Sequence, residues 1–228
     1  MWALLACGIL SPGAALAWPV DVYVDVDAGG RWFQRLSTVD WVEVQDPKIA
    51  TAEVLPSGEL FVEGKSPGRT LLLAYAEGRF AVWRIRVAGK EKAAVEVHGA
   101  PALAQARKAC PGLAEEHGSE GPSLQVQVKD EACRRALLQL FETDDYKARA
   151  LELTFEVPAL QAQLAAIERG LKAANLGHLG VRYAGAGLVL SGTATPEEHR
   201  RALLEIFRQS AGRVPLEDRV ELKTTDTP

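Results

Sequence analysis

Three groups of residues in this chain have types and spacings that could do chemistry. Glu115, Glu116 and His117 put carboxylates beside an imidazole, the material of general acid–base catalysis. Cys110, His117 and Cys133 could begin a zinc set. Asp25-x-Asp27-x-Gly29 has the opening of a calcium loop. None completes itself. The acid–base group has no nucleophile or electrophilic partner nearby in sequence and sits near Gly118 and Gly121, so it reads as an exposed polar loop. The zinc set lacks a fourth ligand and compact spacing. The calcium loop has Leu36 where a bidentate glutamate is required, and its acids read better as the wet side of a strand. There is no Gly-x-Ser-x-Gly elbow, no His-Glu-x-x-His pair and no phosphate-cradling glycine loop. Gly185-x-Gly187 falls in a hairpin signal, not at a strand-to-helix turn. The chain is therefore read as non-enzymatic, with no catalytic residues, cofactor or metal.

The start of the chain speaks of location. Residues 1–17 carry no charged side chain, break at Ser11-Pro12-Gly13 and end in Ala15-Leu16-Ala17, the small-x-small pattern of a cleaved export signal. A buried N-terminal helix is the competing reading. Cys7 has only six residues before it, too short a run for lipoprotein processing. No later stretch is long and apolar enough to cross a bilayer as a helix. A soluble periplasmic protein is expected. Cleavage leaves Cys110 and Cys133 in an oxidising compartment, either bridged or as two buried thiols on neighbouring helices. The net charge of -4 gives no field to attract nucleic acid.

The elements that would position these residues fall into two kinds. Val20, Val22, Val24 and Val26 alternate with polar residues, a period of two with one dry face. Short strand signals then recur, separated by Gly29-Gly30, Asp46-Pro47, Pro56-Ser57-Gly58, Ser66-Pro67-Gly68 and Glu77-Gly78. That spacing predicts a sandwich of about seven strands over 18–88, with a charged linker at 88–93.

Beyond it the chain repeats itself. Residues 133–141 read CRRALLQLF and residues 199–207 read HRRALLEIF; Pro101-Ala102-Leu103 and Pro158-Ala159-Leu160 open the preceding helices. Each copy, 94–157 and 158–223, reads as a small α/β unit, the second with a hairpin about Gly185. The fold class is α+β. Ala136, Leu137, Leu140 and Phe141, and their counterparts Ala202, Leu203, Ile206 and Phe207, form helical stripes read as core. Arg134-Arg135 and Arg200-Arg201 lean toward solvent, either as a plain solvated face or as contacts for an anionic or partner surface.

Residues 46–87 resemble the N-terminal region of the pilus-assembly secretins of tight-adherence (Flp-type) systems. The resemblance is carried by Asp46-Pro47-x-Ile49-Ala50, by Leu60-Phe61-Val62 and by Gly64-Lys65-Ser66-Pro67-Gly68-x-Thr70. Asp46, Pro47, Gly64, Lys65, Gly68 and Thr70 are read as turn chemistry rather than ligands. The C-terminal part, best over 181–222, is similar to the small α/β modules that follow in such secretins, including the BON type. The secretin gate domain has no counterpart before Pro228. The resemblance implies a periplasmic scaffold or accessory module of a pilus or secretion machine, working through protein–protein contacts and able to self-associate. The rival expectation is a BON-like contact with phospholipid or peptidoglycan through the four arginines.

Overall fold

The computed structural model describes residues 15–16, 22–35, 39–76, 79–89, 99–118, 121–141, 143, 150–185, 187–211 and 214–223. Most of the expected export segment and positions 90–93 of the expected linker lie outside them. Ala15–Leu16 form a two-residue strand, β1.

Seven strands follow: β2 (Val22–Asp27), β3 (Arg31–Arg35), β4 (Trp41–Val44), β5 (Ala50–Val54), β6 (Glu59–Gly64), β7 (Gly68–Ala76) and β8 (Arg79–Ala88). They pair as two sheets, β2-β8-β7-β4 and β3-β6-β5. Alternation decides which side chains go between them. Val24, Val26, Leu60, Val62, Leu72, Trp83 and Ile85 are buried in the shared core, with Trp32 edge-on to Trp83 at 5.7 Å. The run Leu71-Leu72-Leu73 in β7 does not alternate, because this sheet is covered on both faces. Leu72 enters the sandwich, while Leu71 and Leu73 pack against the C-terminal unit.

The repeat folds as two units of one topology. The first is α1 (Gly99–Ala109), β9 (Ala114–Gly118), β10 (Gly121–Val128), α2 (Glu131–Phe141) and β11 (Ala150–Phe155). The second is α3 (Val157–Ala173), β12 (Gly180–Ala184), β13 (Gly187–Ala194), α4 (Pro196–Gln209) and β14 (Leu216–Leu222). In each, an antiparallel hairpin is followed by a helical crossover to a parallel third strand. β1 adds antiparallel to the outer edge of β11.

One element differs from the sequence reading. Residues 114–118, expected as a loop, form β9. Pairing with β10 overrides the polar composition of Ala-Glu-Glu-His-Gly, as tertiary context often overrides β-propensity. The start of α4 follows its local code closely. Thr195 caps the amide of Glu198, whose carboxylate returns to the amide of Thr195, and Pro196 opens the first turn.

Candidate interaction surfaces

The family-type motifs form a structural clasp. Asp46 turns the chain, its carboxylate accepting from the Lys48 amide at 3.0 Å, while its own amide donates to the Thr70 hydroxyl at 2.9 Å. The amides of Lys65 and Ser66 both donate to the Ile49 carbonyl, and the Ser66 hydroxyl donates to the Lys48 carbonyl at 2.6 Å. The Asp-Pro corner and the Gly-Lys-Ser-Pro-Gly corner thus hold each other. Gly64 is required by close approach: a Cβ there would lie 2.6 Å from the Asp27 carbonyl oxygen.

The four arginines were expected to lean toward solvent, and for Arg134 the structure corrects that expectation. Arg134 is 2% exposed. Its guanidinium forks onto both carboxylate oxygens of Glu131 and reaches the Gln209 carbonyl at the end of α4. Arg201 donates to the Ala174 carbonyl just past α3 at 2.7 Å. Arg200 lies against Glu43 of β4, with Nε 3.6 Å from Oε2. Arg135 alone of the four is well exposed, at 68% of its side chain. The cause is packing. Both faces of these helices are needed, one for their own sheet and one for a neighbouring unit.

A residue that the motif search passed over completes the pattern. Arg84, in the otherwise apolar β8 run Phe80-Ala81-Val82-Trp83-Arg84-Ile85, is 6% exposed. It donates to the Phe141 and Thr143 carbonyls at the end of α2. One arginine therefore spans each junction: Arg84 from sandwich to first unit, Arg134 from first unit to second, and Arg200 from second unit to sandwich. The signal for Arg84 was present, a single charge within the apolar run 80–85 of β8. Apolar contacts accompany the staples. Phe207 meets Phe80 at 4.9 Å, and Trp41 stacks on Tyr75 at 5.4 Å beside them.

The residues first considered for chemistry are dispersed. Cys110 and Cys133 are joined in a disulfide that ties the end of α1 to α2, Cα atoms 4.8 Å apart. Glu115 pairs with Arg107 at 3.2 Å on the edge strand β9. Asp25 pairs with Arg86 at 2.7 Å on the sandwich surface. At the repeat position of Cys133 stands His199, whose Nε2 lies 2.6 Å from Asp218 on β14. Among the described residues no three His, Cys, Asp or Glu side chains are grouped to hold a metal, and no helix is long and apolar enough to cross a membrane.

Among the described residues, two surfaces are shaped to receive a partner. On the outer face of β3 and β6, Phe33 is 54% exposed and packs on Phe61 at 5.0 Å, with the cross-strand pairs Arg31–Glu63 and Arg35–Glu59 flanking it. Between sandwich and second unit lies a cleft of about 530 Å³, walled by β4 and the start of β5 on one side and by Glu197, Arg201, Leu204, Glu205 and Arg208 of α4 on the other. Burial pushes the Glu43 carboxyl in this cleft above the ordinary range, against the opposing pull of Arg200.

A mixed α+β chain made of a sandwich stapled to two like α/β units is the class these features define. Residues 29–88 match the family described as Pilus formation protein N terminal region, which contains the clasp. No curated protein matches the chain. Among solved structures, it is similar to CdsD, a structural protein of the type III secretion system of Chlamydia trachomatis, at 14% identity over 63% of this chain and 73% of that one, TM-score 0.28. It is also similar to domains 4 and 5 of the S-layer protein SbsC, at 19% identity and TM-score 0.24, over 29% of this chain and 47% of that one. The chain thus spans about half of that S-layer fragment.

Proposed function

We propose that the chain is a non-enzymatic structural module of a pilus or secretion machine, acting in the periplasm through protein–protein contacts. The observation that carries this reading is the match of the clasped sandwich, residues 29–88, to the pilus formation N-terminal region. The way that sandwich is built in supports it. Its outer sheet face is buried against two α/β units through Leu71, Leu73, Phe80 and Arg84, so the modules present their outer surfaces as one body. Charged side chains at the module junctions are spent on neighbouring carbonyls and carboxylates, as suits a scaffold. The rival contact with phospholipid or peptidoglycan is left with fewer arginines to draw on, since Arg134 is buried.

The test is photo-crosslinking in living cells from the exposed positions Phe33 and Arg135. Adducts with pilus or secretion components are the expected result. Adducts with lipid alone, or with none of those components, would reject the reading. Fractionation with N-terminal sequencing tests location: a periplasmic chain beginning at Trp18 is expected, and a cytoplasmic chain retaining Met1 rejects it.

A further inference from the structure

We propose that the cleft between β4, β5 and α4 receives an extended peptide strand from a partner protein. The inference rests on the protein-binding reading above and gives it a site.

The sandwich wall of the cleft is made of two edge strands. Among the described residues, β4 pairs only with β7, and β5 only with β6. The Gln45 amide donates to the Leu71 carbonyl, so Trp41, Glu43 and Gln45 turn their backbone groups toward β7. Val42 and Val44 turn theirs outward. The Leu55 amide donates to the Glu59 carbonyl, which by the same parity leaves Ala52 and Val54 facing out from β5. Val42, Val44 and Ala52 line the cleft. Outward amides and carbonyls recurring at every second residue are matched in spacing by another strand.

The opposite wall has the right length. Glu197, Arg201, Leu204, Glu205 and Arg208 recur at helical spacing along one stripe of α4. From first to last the stripe runs ~16 Å, the length of about five extended residues. Arg201 is fixed to the Ala174 carbonyl, and Ala174 and Pro47 also border the space. The stripe interleaves both signs of charge around Leu204. It suits a segment with a small apolar residue toward Leu204 and polar residues on either side.

The experiment uses the full chain, panned against a random octapeptide library displayed on phage. Selected peptides are then measured against the chain and against a variant carrying Gln45→Arg and Thr51→Arg, two substitutions on the strand side of the cleft. Binding weakened about tenfold or more in the variant, at an unchanged unfolding midpoint, is expected. A synthetic peptide scanned by N-methylation should lose binding at alternate backbone positions and keep it at those between. No selected peptide, binding that tolerates both arginines, or an N-methyl scan without alternation overturns the proposal. If it fails while crosslinking from Arg135 still recovers pilus or secretion components, the cleft assignment falls and the scaffold reading stands.

Discussion

Arg134 Nη1 donates to the Gln209 carbonyl at 2.6 Å, tying helix α2 of the first α/β unit to the last turn of helix α4 of the second. The same guanidinium holds Glu131 in a two-point fork. Removing the side chain takes the donor from the Gln209 carbonyl and the fork from Glu131, which keeps only the longer contact to Arg135 at 3.6 Å. Arg134→Ala is expected to cost ~2–3 kcal/mol. Arg135→Ala, one residue on and exposed, should stay within about 0.5 kcal/mol. Urea unfolding of the two variants checks this, and equal midpoints would contradict the staple.

The Cys110–Cys133 disulfide closes a loop of 23 residues in sequence separation. Chain-entropy reasoning gives a stabilisation of about 3 kcal/mol for a loop of this length. The double variant Cys110→Ser, Cys133→Ser should lower the thermal midpoint, and reductant should lower that of the native chain but not of the variant. Unfolding without reductant should expose no thiol at either position to labelling.

Acid should weaken the protein through identifiable groups. Hydrogen bonds from Arg134 hold the Glu131 carboxyl below its ordinary value of 4.5, outweighing the opposing effect of burial. Its folded pKa lies below its unfolded one, so its contribution is present above about pH 4.5 and is lost as pH falls through the folded value. Asp218 behaves alike: burial opposes ionisation, but bonds from His199 and from the Val220 amide prevail. Glu43 has the opposite sign. Burial raises it, so the stability it contributes declines as pH rises from the ordinary value through the folded one. Glu131→Gln should flatten the acid limb of the stability profile. Glu43→Gln should flatten only the segment above about pH 4.5. An unchanged acid limb in Glu131→Gln would refute the assignment.

The clasp predicts a graded response. Gly64→Ala drives a methyl group into the Asp27 carbonyl and should cost about 2 kcal/mol or more. Thr70→Val keeps the shape but removes the acceptor of the Asp46 amide, for about 1 kcal/mol. Denaturant midpoints of the two variants decide the order.

Much of the architecture was readable because it rests on local rules. The valines of β2 alternate, Thr195-Pro196-Glu197-Glu198 caps a helix, and the CRRALLQLF and HRRALLEIF segments bury the same stripe in two units. β9 was missed because Ala-Glu-Glu-His-Gly has no strand pattern of its own and pairs only because β10 lies beside it. The fate of the arginines was equally illegible. Arg134 and Arg135 are adjacent and alike in type, yet one is buried and one exposed. A helical step of about 100° per residue separates them, and only the position of the second unit says which direction is inside.

The amino-acid pattern alone determined the division into a β domain and a duplicated α/β unit, and the corners of the clasp. Periodicity, turn residues and caps act over a few neighbouring positions, so they are written in order along the chain. The tertiary structure alone decided that three arginines, from β8, α2 and α4, each cross a different junction, and that two strand edges and one helix enclose a common cleft. The arginine contacts join residues 57 to 157 positions apart, and no local preference encodes a distance in space between them.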